Sequence, residues 1–376
     1  MKAPFHATIS VWNDFWVPEL CEGLARGGYE VLALRSEHAA ICGVQTQTCE
    51  VSRILTRLFQ RTQQPFLLEA AQDWFEAFAR RRVGQSPVFW GWNGHNLSSC
   101  LAAQRCGQRI ICERGSTHGA WAARRLNEVH KQLGWGPTDL GAEKRELRAI
   151  REYELAEKII VPSQFVKKTF LEEGMSEEKL HVNPYGVDVE HWGRISGTER
   201  SNGPLIFVFT ASMTPRKGVH ILLRAWEKAG LNDAELWLCG GVHFPIKALG
   251  LPVGKNVRFL GYTSHEKLID IYNRASVYLL PSFEEGMARS GLEAMAAGLP
   301  LIVTEETGLT DVMIQGVQGW VVPSGNVEAL AETLRIVAGS RDRLSSMSIA
   351  CQATGCKYTK SAYGHRAAQF LRDFLK

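Results

Sequence analysis

The chain has 376 residues, long for a single core, and its 45% hydrophobic and 22% charged content is that of a folded globular protein rather than a disordered one. A net charge of +4 on this length is too mild for a general nucleic-acid binder and suits anionic small molecules or an anionic membrane surface. Nine cysteines without paired metal-type spacing (Cys100, Cys106 and Cys112 are spread over strand and helix patterns) read as reduced, packed thiols of a cytoplasmic protein. The N-terminal stretch has no apolar core long enough for a signal peptide, and no apolar run approaches the ~18 residues of a membrane span.

Short apolar, β-branched runs recur at residues 6–12, 29–35, 87–92, 109–114 and 157–163, then at 205–210, 235–240, 257–261, 277–282, 299–304 and 320–323. Helix-length amphipathic segments lie between them, which is the pattern of βαβ units and of parallel sheets buried on both faces. The polar, Gly- and Ser-rich stretch RISGTERSNGP divides the two series. The expected organisation is α/β, with two Rossmann-like, doubly wound parallel-sheet domains facing a central cleft. Residues 1–193 would form the first, 194–204 the linker, and 205–355 the second. Residues 356–376 read as an amphipathic helix that follows the second sheet and packs back on the N-terminal domain. Ligands of such folds sit at the carboxyl ends of the strands.

Several N-terminal segments carry charge or histidine. ARRRV at 79–83, with Arg53, Arg57 and Arg61 upstream, can touch anionic lipid, although a solvated helix face explains it more simply. His95 in FWGWNGHNL and His118 in RIICERGSTHGAW each follow a predicted strand, where a histidine can donate, accept or relay protons near neutral pH. The segment AEKRELRAIREYELAEK (142–158) mixes charges at helical spacing and reads as a partly exposed helix. Asp188 and Glu190 superficially form an acidic metal motif, but they lie at the exit of the first domain without a phosphate-binding context, and no essential metal is expected.

The richest chemistry lies in the second series. In FTASMTPRKGVHILLRAWEKAG (209–230), a strand ends in a turn and a helix begins near Gly218, which puts Arg216 and Lys217 where a guanidinium fork and a compact ammonium can engage a diphosphate. In PSFEEGMARSGLEAMAAGLPLIV (281–303), EEGMARS is the strand-to-helix turn and Gly298 closes the helix. The amides of Gly286, Met287 and Ala288 are unpaired donors suited to a phosphate. Glu285 and Glu293 would repel a phosphate but can accept hydrogen bonds from the hydroxyls of a sugar and a ribose. Glu284 is read as an ordinary charge complementing the helix dipole.

Together these residues resemble the donor-binding half of glycosyltransferase family 4, retaining enzymes of the GT-B fold. The likeness rests on the Glu-x7-Glu pair Glu285 and Glu293, the EAMA-x-G-x-P element from Glu293 to Pro300, and the later Gly319, Val322 and Pro323. It continues through PRKGVHILLRAW, ELWLCGG, VRFLGY and VPSQFVKKTF…VNPYGVD, covering most of residues 155–340 in order. The resemblance implies a nucleotide-diphosphate-sugar donor and a hydroxyl acceptor. Glu285 would hold the sugar hydroxyls, Glu293 the ribose, Arg216 and Lys217 the diphosphate, and Tyr262 a place near the base. His118 would be offered to the reacting sugar or acceptor. It also implies retention of configuration, with the leaving diphosphate oxygen assisting the incoming hydroxyl, and no resident cofactor or metal. Relatives working on membrane-linked acceptors suggest peripheral contact with the inner membrane face.

This sequence departs from the family at some points. The arginine expected five residues before the lysine falls on Ser212, so Arg216 is the candidate substitute. The second glycine of the turn is Ala288, followed by Arg289. A glycine pair expected after the first strand is replaced by WNDFW (12–16), whose aromatics and Asp14 suggest acceptor contacts. Two other readings stay open: a nucleotide-sugar epimerase or hydrolase on the same scaffold, and a non-catalytic binding or scaffold protein.

Overall fold

The computed structural model describes residues 5–12, 16–37, 40–137, 140–193 and 203–376. Asp14 of the WNDFW segment and residues 194–202 of the expected linker lie outside the described residues. The apolar runs form strands because they can be buried on both faces. The first series gives β1 (Ala7–Val11), β2 (Val31–Arg35), β3 (Gln45–Thr48), β4 (Val88–Trp92), β5 (Arg109–Glu113), β6 (Lys158–Val161) and β7 (Leu180–Val182). The second gives β8 (Leu205–Thr210), β9 (Ala234–Cys239), β10 (Val257–Gly261), β11 (Val277–Leu280), β12 (Leu301–Thr304) and β13 (Gly319–Val322). β1, β2, β11 and β12 are buried along their whole length.

The first sheet has the order β3-β2-β1-β4-β5-β6-β7 and the second β10-β9-β8-β11-β12-β13. Every pair is parallel. The direction of winding reverses between β1 and β4 in one sheet and between β8 and β11 in the other. At such a switch point the connections diverge to opposite faces and leave a crevice beyond the strand ends.

Two strands are absent from the apolar pattern, β3 (QTQT) and β7 (LHV). Both are edge strands with a single partner, and an edge strand need not be apolar on both faces.

The chain passes from the first sheet to the second after β7 and returns near residue 359, where Val187 and Thr359 form a parallel bridge. The helix Lys360–Phe374 then packs along the helix Val17–Arg26. Glycines meet at the crossing: a Cβ on Gly23 would lie 2.2 Å from the Gly364 Cα. Tyr363 on the returning helix donates to Oε1 of buried Glu113 (2.7 Å), and Trp90 donates to its Oε2 (3.0 Å). Burial pushes the Glu113 carboxyl up to about 7 despite these donors. Among the described residues no helix is long and apolar enough to cross a membrane.

Candidate active site

The switch point of the second sheet places two turns side by side. After β8, Pro215–Lys217 forms a single 3-10 turn closed by Gly218 at φ +68°. A Cβ on Gly218 would lie 1.8 Å from the Pro281 carbonyl oxygen, so only glycine lets this turn press on the end of β11. The Phe283 amide donates to the Arg216 carbonyl (2.8 Å) and knits the two turns together. Beyond it, Glu285 is bridged to the following strand end, its amide bonding Glu306 O and its carbonyl accepting from the Gly308 amide, both at 3.1 Å.

The side chains converge accordingly. Arg216 Nη1 donates to the Glu284 carbonyl (2.9 Å), to Glu284 Oε2 (3.0 Å) and to Glu285 Oε2 (3.2 Å). Lys217 Nζ forms an ion pair with the same Glu285 oxygen. The Lys217 side chain is 12% exposed and that of Arg216 36%. Burial and the neighbouring guanidinium pull the Lys217 pKa down, and Glu285 opposes them only in part. The cluster holds two cations and two carboxylates. An incoming diphosphate competes with Glu285 for Lys217 and Arg216, and a Glu285 released in this way is free to accept from hydroxyl groups.

The turn continues into the helix Arg289–Ala296. Among the described residues, the amides of Gly286, Met287 and Ala288 donate to no protein acceptor. They lie at and just before the N-cap of that helix, Ala288, where the helix end favours an anion. Glu293, two turns along, is buried, with Arg289 Nε 3.4 Å from its Oε1. Burial raises its carboxyl to about 7, against the opposing pull of Arg289 and Lys360. Glu293 makes no hydrogen bond to the Arg216–Lys217–Glu285 cluster among the described residues. Tyr262, just past β10, is 91% exposed and stands apart from it.

Glu284 is not the helix-end charge that sequence alone suggests. Its side chain is 3% exposed and turned across the cleft, where Oε1 accepts from Ser116 Oγ (2.9 Å), the Thr117 amide (3.2 Å) and Thr117 Oγ1 (2.8 Å). Burial alone would raise its pKa, but Arg216 and the donors of Ser116 and Thr117 outweigh burial and hold the carboxyl below the usual range. Ser163 Oγ also donates to the Gly286 carbonyl (2.9 Å), and Arg125 pairs with Glu306 at 2.8 Å. These contacts bring the two domains together in a closed arrangement.

His118 sits on the same N-terminal loop as Ser116 and Thr117 and precedes the helix Gly119–Gln132. Its amide donates to Thr169 Oγ1 (3.0 Å), and its ring packs on Phe170 (5.0 Å) and Tyr153 (5.4 Å). Burial lowers the imidazole to about 4, so it is neutral at pH 7, and Nδ1 finds no partner among the described residues. Ser116 and Thr117, which sequence reasoning passed over, make the contacts to the donor-side turn. Their signal was present as the hydroxyls of the GST triplet before His118, but nothing local pairs them with Glu284.

Trp12 and Trp16 of WNDFW also differ from expectation, while Phe15 lies outside the described residues. Trp12 is buried, donates to Ser52 Oγ (3.1 Å) and packs on His95 (5.1 Å). Trp16 stacks on Tyr185 at 4.6 Å. Both are buried packing residues rather than exposed acceptor contacts, with the indole N–H of Trp12 satisfied by Ser52. Asp188 likewise caps a helical turn, accepting from the His191 amide (3.1 Å).

Residues 194–350 match the family described as "Glycosyl transferases group 1". That likeness is confined to the C-terminal half of the chain. This chain is 26% identical over 182 residues to the amylovoran biosynthesis glycosyltransferase AmsK of Erwinia amylovora, a match covering 45% of this chain and 44% of that protein. The chain thus matches less than half the length of that relative. The fold likeness runs further. Sucrose-phosphate synthase from Thermosynechococcus elongatus superposes with a TM-score of 0.72 at 19% identity, covering 98% of both chains. HepE of Anabaena, solved in complex with UDP-glucose, gives a TM-score of 0.68 at 16% identity over 98% of this chain and 100% of that one. The two sheets and the helices around them thus form the two-domain GT-B fold.

Proposed function

We propose that the protein is a retaining, metal-independent glycosyltransferase of family 4, moving a sugar from a nucleotide-diphosphate-sugar to a hydroxyl acceptor. The second domain (205–355) holds the donor and the first (1–193) the acceptor, with residues 194–204 as the linker. The observation that carries the reading is the Lys217–Arg216–Glu285 cluster at the switch point beside the unpaired amides of Gly286, Met287 and Ala288. Lys217 and Arg216 take the diphosphate and stabilise charge as it develops on the leaving group, a task that needs no metal where two cations are fixed in place. Glu285, released from them, holds the sugar hydroxyls. Glu293 takes the ribose and Tyr262 lies near the base. His118, neutral at pH 7, acts as a hydrogen-bonding group beside the reacting sugar rather than as a charged acid. The leaving oxygen assists the incoming hydroxyl on the same face, which gives retention. Closure of the cleft keeps water from the donor. The UDP-glucose complex of the fold neighbour HepE makes a uridine donor the first to try.

Peripheral membrane contact belongs to the same proposal. The helix Glu50–Thr62 leaves Val51, Ile54 and Leu58 exposed on one face, flanked by exposed Arg57 and Arg61. Apolar side chains beside arginines suit an anionic bilayer surface. Vesicles containing phosphatidylglycerol should sediment the protein, and Ile54→Glu should abolish this. Equal binding by both proteins would remove the contact from the reading.

The deciding experiment is release of nucleoside diphosphate from UDP-, GDP-, ADP- and TDP-sugars, with and without acceptor alcohols. Release with one donor, accelerated by an acceptor, is the expected result. Turnover indifferent to any acceptor would indicate an epimerase or hydrolase. Absence of both turnover and calorimetric binding across the panel would indicate a non-catalytic protein.

A further inference from the structure

Arg216 is held in an unusual way. All three hydrogen bonds of its side chain come from one nitrogen, Nη1, and among the described residues Nε and Nη2 donate to no protein acceptor. A guanidinium fixed at one corner presents the rest of its fork in a set direction, the requirement for two-point binding of a phosphate. Two of the three acceptors belong to Glu284. Glu284 is in turn fixed from the opposite domain, with Oε1 taking Ser116 Oγ, Thr117 N and Thr117 Oγ1 while Oε2 takes the guanidinium. No direct hydrogen bond joins Arg216 to the Ser116–Thr117 loop among the described residues.

We propose that Glu284 is a positioning residue that couples closure of the cleft to the aim of Arg216: the N-terminal loop holds one carboxylate oxygen, and the other holds the guanidinium in its phosphate-binding direction. In an open molecule the carboxylate loses three donors and returns to water, and Arg216 loses its fixed partner. The diphosphate grip is then complete only when the acceptor domain is in place. This restrains donor breakdown before an acceptor can be present. The proposal rests on the reading that Arg216 meets a diphosphate, but the mechanical link between Thr117 and Arg216 does not.

That separation decides the test. Amide hydrogen exchange of the 115–118 segment is first followed in the ligand-free protein, in the wild type and in Glu284→Gln and Arg216→Met. Exchange about tenfold faster in both variants is expected, since hydrogen bonds to a charged group are worth about that much or more. Unchanged exchange in Arg216→Met would overturn the link whatever the protein does. Turnover of the preferred donor is then measured in Thr117→Val and Thr117→Ser. Valine removes one donor to Oε1 and serine keeps it. A kcat about 10- to 100-fold lower in Thr117→Val, with little change in donor KM and recovery in Thr117→Ser, is expected. Loss in both variants alike would mark Thr117 as a packing residue and reject the coupling. If the wild type binds no nucleoside diphosphate, the functional reading fails, and the exchange result alone decides whether Glu284 links the domains.

Discussion

The two sheets share a topology and treat their switch points in opposite ways. In the second sheet the crevice between β8 and β11 holds Arg216, Lys217, Glu284 and Glu285, with backbone amides left unpaired beside them. In the first sheet the crevice between β1 and β4 is filled. Trp12 covers His95, Asn96 exchanges hydrogen bonds with Ser10 (2.6 Å from the serine hydroxyl), and Glu152 takes the amides of Gly94 and Asn96 at 2.7 and 2.9 Å. One crevice satisfies its own polar groups, and the other leaves backbone amides and part of a guanidinium fork without a protein partner among the described residues. Parallel-sheet winding supplies a place for a ligand, and side chains decide whether it is used.

The contrast breaks most severely at Lys217. Lys217→Ala should lower turnover about 10²–10³-fold, the effect of removing one preorganised charge from a developing anion, measured as kcat of donor consumption. A variant at Trp12 that keeps the fold should lose far less. Gly286→Ala comes next. Its Cβ would lie 2.1 Å from the Gly115 carbonyl oxygen, so the domains could not approach as they do here. Activity should fall about 10²-fold, as for a small displacement of reacting groups, while the melting temperature changes little.

Glu293 sharpens the comparison through pH. Its folded pKa of about 7 lies above its ordinary value of 4.5, so the folded state binds more protons between those limits. Its contribution to stability is therefore present at low pH and lost as pH rises from about 4.5 to 7. Glu293→Gln should stabilise the protein by about 3 kcal/mol at pH 8 and hardly at all at pH 4, read from urea unfolding, while weakening donor binding. The smallest effect is expected at His118. With its pKa near 4 it does not titrate between pH 5 and 8, so any limb of the kcat/KM profile near 6.5 should survive His118→Gln. Disappearance of such a limb would return His118 to the role of a charged acid.

Most of the second domain was legible because its signals are local. β8 and β11 are continuous apolar runs ended by turn residues, and Arg216, Lys217 and Glu285 each lie within a few residues of a strand end. Two strands escaped notice because edge positions do not demand apolar residues, as QTQT in β3 shows. The first domain hid more. Trp12 and Trp16 read as exposed recognition residues until their partners Ser52, His95 and Tyr185 are known. The bond between Thr117 and Glu284 spans 167 residues and depends on how two domains meet, which no periodicity encodes.

The glycine-to-glycine crossing of the helices Val17–Arg26 and Lys360–Phe374 has a bearing on biosynthesis. The first sheet emerges from the ribosome early, yet Glu113 must wait for the hydroxyl of Tyr363, and Val17–Arg26 for its covering helix, until the entire second sheet has been translated. The half made first is completed last, so it must spend that interval with an apolar seam uncovered. A chimera that exchanges N-terminal halves between relatives therefore has to carry residues 360–374 along with them, although the whole second sheet lies between the two segments in sequence.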